Sequence, residues 1–300
     1  MDTTNAPTAA RALGGALEPV IGQVYFSPEA HAGYEALGFD PSPGVNNGVA
    51  MPEGVAYFTS RGSLMGQVRG TVVASAFAVF NPAAVAPAVE LGWTRTDAPS
   101  ICAARDNGAL AQLERILGHP GELDRLSAML DRAADGLSLA GRPLAAGVAA
   151  LADPDHPWGR LFRRGDLLRE YRGDSHTIAW ATVGLDAIEI GLLTELFWGL
   201  PLRTYTRTRA WSDEDFDAAE ERLRSRGLLT AEGEFTSDGR ALREAVEAAT
   251  DDQCAPIIDA LGDDLDAVLT TLGDWGRAVR AAHGYPQSGP HELAERASRG

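Results

Sequence analysis

A mainly α-helical fold of two diverged winged-helix-like halves, with a small β-hairpin wing in the second, is predicted by three observations. Apolar residues recur at helical spacing through the C-terminal half. A glycine-centred hairpin pattern interrupts them once. The same phasing returns, fainter, about 110 positions earlier in the chain.

The C-terminal elements follow in order. Asp186 to Phe197 places Ile188, Leu192 and Leu196 on one helical stripe. Ser212 caps a second helix with Phe216, Ala219 and Leu223 inward, and Arg226-Gly227 ends it, since glycine accepts the left-handed turn after a helix. Leu228-Leu229-Thr230, Glu232-Gly233 and Glu234-Phe235-Thr236 read as two short strands and their turn. Asp238 to Ala249 returns to helix with Leu242 and Val246 inward, and Leu265 to Ala282 forms a last helix.

The N-terminal half reads as a copy of these elements. Ser60-Arg61-Gly62 matches Tyr171-Arg172-Gly173, Ala74 to Val79 matches Ile188 to Leu193, and Ala109 and Leu113 fall where Ala219 and Leu223 fall. Leu126, Leu130, Ala133 and Asp135 then match Leu242, Val246, Ala249 and Asp251. The offset grows by about six residues between the two sets, so the missing residues belong to the wing, with Gly118 to Gly121 as its remnant. The expected organisation is a disordered leader (1–16), an N-terminal half (17–153), a C-terminal half (154–283) entered through the Pro154 to Trp158 linker, and a disordered tail (284–300).

Composition removes several function classes. The chain has 300 residues and a formal charge of -16, whereas nucleic-acid binders present a basic face. All 26 basic residues are arginine, which excludes a Schiff-base lysine, pyridoxal phosphate attachment and a phosphate-loop lysine. Cys102 and Cys254 are the two cysteines and stand at no metal-ligand spacing, so buried thiols and neither metal nor cofactor are expected. The longest apolar run, Thr71 to Phe80, is half the roughly 20 residues of a membrane span, and residues 1–16 lack the apolar core of a signal peptide. A cytoplasmic protein without a membrane or nucleic-acid partner is expected, as a monomer or homodimer.

The densest chemistry lies from Leu167 to His176. On a helix Arg169, Arg172 and His176 share a face, and Glu170 and Asp174 pair at i, i+4. Two readings stand: a pocket wall whose arginines grip a carboxylate or phenolate while His176 moves a proton, or a salt-bridge lattice joining the halves. Glu189 falls on the inward stripe of its helix and must be paired, with Arg172 or Arg61, or act as a general base. Phe77, Phe80, Trp180, Trp198, Tyr205 and Trp211 are either core or the wall of a site for a planar ligand. His31, His119 and His156 sit in or beside turns and are expected in water; His283 and His291 fall in the tail.

Two resemblances attach to these residues. The string from Arg226 to Leu229, with Phe235-Thr236 and Gly239 to Leu242, resembles the recognition helix, wing and following helix of MarR-type regulators. The string Leu168-Arg169-Glu170-x-Arg172-Gly173-Asp174-x-His176 has companions in Tyr25 to Glu29, Gly141 to Leu144, Ala210 to Ser212 and Thr250-Asp251. Together they resemble a family of actinobacterial proteins described as helix-turn-helix-like or MarR-like and often encoded near natural-product pathways. Tyr171 and Ser175 stand where that family commonly has histidine and glycine. The resemblance implies fold and context and no particular reaction.

The expected function is binding of an aromatic or anionic small molecule by a cofactor-independent enzyme of secondary metabolism. Cyclisation, condensation or isomerisation would use His176, Glu189 and Glu170 as acid and base. Arg61, Arg169, Arg172, Asp174, Phe77, Phe80, Trp180 and Trp198 would hold the substrate. A ligand-binding self-resistance protein is the alternative. A MarR-type regulator is disfavoured because residues 213–226 carry six acidic residues against Arg222, Arg224 and Arg226. The pocket is expected between the halves, against the helices bearing His176 and Glu189.

Overall fold

In a computed structural model, residues 6–289 are described, with side chains from residue 9 onward. The chain opens with α1 (Ala6–Ile21) and α2 (Pro28–Ala36), then β1 (Val45–Asn46) and β2 (Val49–Ala50). Next come α3 (Gly54–Gly62), α4 (Gly70–Ala76), α5 (Pro82–Gly92), α6 (Ala98–Leu117), α7 (Leu123–Ala134) and α8 (Pro143–Ala149). The longest helix, α9 (Gly159–Thr182), leads to α10 (Ala187–Phe197), α11 (Asp213–Ser225), α12 (Ser237–Gln253), α13 (Ala255–Leu261) and α14 (Leu265–Ala281). No single helix among the described residues is long and apolar enough to cross a membrane.

The helix-turn-helix order of the C-terminal half is written in its caps. Asp186 accepts the amides of Ile188 and Glu189 while Glu189 returns a bond to the Asp186 amide, closing a capping box on α10. Ser212 and Asp215 do the same for α11. Ile190, Leu192, Leu193, Phe216, Ala219, Leu223 and Val246 then bury the shared face of α10, α11 and α12. The wing is one bridge, Leu229 opposite Phe235, turned over Gly233 at φ +83°. Gly239 is required where α12 meets it: a Cβ there would lie 2.0 Å from the Leu228 carbonyl oxygen.

In the first half α6 and α7 stand at the positions paired with α11 and α12, α4 covers only the start of the stretch paired with α10, and α5 is additional. Three expectations are corrected there. The only two-stranded sheet among the described residues is β1–β2, which pairs around Asn47-Gly48, both left-handed (φ +52° and +82°). The helix expected to Val79 stops at Ala76, because Phe77 to Phe80 turns sharply with Ala78 at φ +32°. The leader is helical from Ala6, since Leu13, Leu17, Val20 and Ile21 bury one stripe of α1 in the main core.

That core draws on both halves. Trp158, Leu161 and Phe162 are fully buried among residues of α1, α6, α7, α13 and α14. Tyr285, in the segment expected as tail, packs edge-on against Phe26 and donates to Glu18 at 3.1 Å. Residues 1–5 and 290–300, with His291, lie outside the described residues. Through the middle runs a buried charge ladder in which Arg105 holds Asp106 (2.9 Å) and Asp166 (2.8 Å) while Arg163 holds Asp106 (2.5 Å). Buried ions persist only when paired, and removing one partner costs about 3–5 kcal/mol.

Candidate functional site

The chain bends by 108° between α9 and α10. In the angle lies a cleft of two adjoining lobes, of about 520 and 430 Å³, sharing Arg61, Arg169, His176, Tyr205 and Arg209 at their waist. The size suits a small ligand. The larger lobe has an aromatic wall: Phe58 meets Phe80 at 5.1 Å and Phe77 at 6.1 Å, and Tyr57 meets Phe80 at 6.0 Å. Trp180 also lines it, its buried indole N–H without a partner.

α9 sends its charged side chains to one edge of this cleft. Glu170 is buried and receives Arg61 (2.9 Å), Arg169 (2.7 Å) and the Tyr25 hydroxyl (3.3 Å). Burial alone would raise its pKa, but the two guanidiniums prevail and hold it down at about 2. Glu170, expected to transfer a proton, is instead seen tied as a carboxylate to two guanidiniums and a phenol. Arg169 is also held by Glu18 at 2.7 Å, and Arg172 by Glu247 (3.0 Å) and Asp251 (3.1 Å). Both arginines line the cleft with their charge largely spent on the protein.

Glu189 does not reach the cleft. It is buried on the opposite side of α10, where it closes the capping box and pairs with Arg222 and Arg226, each at 3.2 Å. Its partners come from the end of α11 and its cap, not from Arg61 or Arg172, because the inward stripe of α10 faces α11 along that edge. The α10 residues that do line the cleft are Ala187, Ile190, Gly191 and Thr194, with Trp198 beyond them, half exposed and 5.5 Å from the Tyr205 ring. His31 departs from expectation too: it is buried, with Nε2 on the Tyr25 carbonyl at 3.0 Å.

Two α9 side chains retain free polar atoms toward the cleft. Asp174 accepts the Leu144 and Ala145 amides at 3.0 Å, both on Oδ2, and Oδ1 accepts no hydrogen bond among the described residues. Burial pushes its pKa up to about 6, the two amides and Arg61 opposing and Glu170 assisting. His176 places Nδ1 3.1 Å from the Thr250 hydroxyl, which donates to the Val246 carbonyl at 2.7 Å. The hydroxyl must accept from the ring, so Nδ1 carries the proton and Nε2 is left as an acceptor. Burial lowers this pKa to about 4, and the neutral ring is the form present at pH 7.

Sequence reasoning missed Arg209. It stands at the waist with its guanidinium 4.4 Å from the Phe80 ring centre and 4.4 Å from that of Tyr205. No carboxylate among the described residues lies within ion-pair distance of it. Burial, with Arg61 adding to it, lowers its pKa to about 10, which still leaves it charged at pH 7. A latch positions it: Asn81 N–H donates to the Arg209 carbonyl (2.9 Å), Asn81 Nδ2 to Ala210 O (2.9 Å), and Trp211 Nε1 to Val79 O (3.0 Å). No motif marked Arg209; Tyr57 and Arg61, spaced i, i+4 on α3, were the available hint of an aromatic-cationic wall.

Three of the four companion strings of the second resemblance converge on α9, and Ala210 to Ser212 joins the latch instead. Tyr25 reaches Glu170, Thr250 holds His176, and Asp251 holds Arg172. Arg142 lies over the Tyr171 ring at 4.3 Å and donates to Ser175 at 3.0 Å, so the two departures from the pattern both serve one arginine. No group of three or more metal-ligating side chains gathers among the described residues. Comparison with curated proteins and with solved structures gives no match. The profile of the Helix-turn-helix family spans residues 10–286, nearly the whole chain, and the chain belongs to that family.

Proposed function

We propose that this member of the family binds a planar aromatic anion, with the ring against Tyr57, Phe58, Phe77 and Phe80 and the anionic group on Arg209. The observation that carries the reading is the unpaired Arg209 cation in an aromatic cleft. A half-buried charge held between aromatic rings favours a counter-ion, and no carboxylate among the described residues lies within ion-pair distance of it. The lining as a whole favours an anion: Arg61, Arg169, Arg172, Arg209 and Arg243 face Glu18, Glu170, Glu247 and Asp174.

A nucleic-acid partner is the second reading, favoured by the family's description. Against it, α11 turns Asp213, Glu214, Asp217 and Glu221 to solvent, and acidic side chains repel phosphates. One set of titrations separates the readings. 2-Naphthoate should quench tryptophan fluorescence, and 2-naphthamide should bind more weakly. Arg209→Ala should weaken naphthoate by about tenfold or more, the worth of a charge-assisted hydrogen bond. Equal affinity for acid and amide, or for wild type and variant, overturns the assignment. A mobility shift at nanomolar protein with a steep salt slope would replace it by DNA binding.

A further inference from the structure

The free atoms of Asp174 and His176 face the same lobe as the aromatic wall, and neither is needed to grip an anion. Asp174 is 3% exposed, and its Oδ2 is fully engaged by the first turn of α8. The helix fixes the carboxyl, and Oδ1 is left as an acceptor lining the lobe. His176 lies two residues on, 26% of its side chain open, with Nε2 as a second acceptor held in one tautomer by Thr250. Two acceptors in a lobe that also holds the aromatic wall and Arg209 call for a ligand that can give up or share a proton there. Arg61 and Glu170 are the charged neighbours of Asp174, and they neutralise each other at 2.9 Å. Asp174 therefore acts without a guanidinium of its own.

We propose that Asp174 is a general base that enolises a bound aromatic 2-oxo acid, with His176 accepting the enol hydroxyl; this rests on the anion-binding reading. Arg209 would take the carboxylate and the aromatic wall the ring, leaving the acidic C–H beside the carbonyl for Oδ1. The proton passes from carbon to Oδ1, the C–H electron pair becomes the new C=C bond, and the carbonyl π pair moves to oxygen. The same proton then returns to that oxygen, and the O–H so formed donates to Nε2 of His176. No electrons leave the pair of molecules, and the products are the enol and the original carboxylate. At neutral pH the base is ready: a carboxyl with its pKa near 6 is ionised yet far more basic than an ordinary aspartate.

The test uses phenylpyruvate in D₂O, with NMR following loss of its benzylic protons and fluorescence reporting binding. Wild type should accelerate exchange over buffer. Asp174→Asn should remove about a hundredfold or more of that acceleration, and its amide oxygen can still accept the α8 amides and so keep the fold. Binding of phenylpyruvate without acceleration by wild type overturns the proposal and leaves the anion-binding reading standing, whatever the variant's stability. Acceleration that survives in a folded Asp174→Asn overturns the assignment of the base. Failure of both phenylpyruvate and naphthoate to bind overturns both.

Discussion

Glu189 shows how a buried carboxylate can be used up by the protein's own donors. Its oxygens are divided between Arg222, Arg226 and the Asp186 amide, so each satisfies a group that α10 or α11 would otherwise leave exposed. Glu189→Gln keeps the shape and weakens those bonds. It should cost about 1–2 kcal/mol in urea unfolding and leave naphthoate affinity unchanged. A loss of binding at unchanged stability would return Glu189 to the site. Its inward stripe was readable from the sequence; its partner was not, because Arg222 lies on a helix whose docking angle depends on how α10 and α11 pack. Arg209 was harder still, since its meaning comes from Phe80, 129 positions earlier and reached only through the latch.

At the scale of one helix, α9 carries two titrating groups whose effects oppose. In the native chain His176 falls from 6.5 to about 4. Between those values the unfolded chain takes up a proton that the native ring refuses, so stability is lost as pH falls from 6.5 to 4. Asp174 rises from 3.8 to about 6. Its native carboxyl keeps a proton that the unfolded one has lost, so stability is lost as pH rises from 3.8 through 6. Each is worth about 2 kcal/mol once water at the open cleft is allowed for, and wild type should vary little between pH 4 and 6 on their account. Urea midpoints should rise with pH across that window in Asp174→Asn and fall in His176→Gln; parallel profiles would mean that neither shift is real. The helix itself was legible from the spacing of its charges. Asn47-Gly48 between Val45 and Val49 is a strong turn signal as well, but two-residue strands are too short to show an alternating pattern.

At the scale of the molecule, the buried ladder of Arg105, Asp106, Arg163 and Asp166 joins α6 to α9 across the boundary between the halves. The main core around it runs from Ala10 to Tyr285. Scanning calorimetry should show one cooperative transition, and Asp166→Asn should lower it as a whole by about 3–5 kcal/mol. Two resolved transitions, with only one moved by Asp166→Asn, would show that the halves fold as separate units. Sequence periodicity suggests two halves because each helix has its own stripe. It cannot show that α1 and α14 close over both, since that is decided by which stripes meet.

The latch between residues 79–81 and 209–211 has a mechanical consequence. The segment that carries Arg209 runs straight into Ser212, the cap of α11, three residues later and at most about 11 Å away. Its other side is tied to the sharp Phe77 to Phe80 turn that forms the aromatic wall. The Arg209 segment and the first turn of α11 are thus joined through a short, hydrogen-bonded strut, so the cleft and the start of α11 share one stretch of backbone.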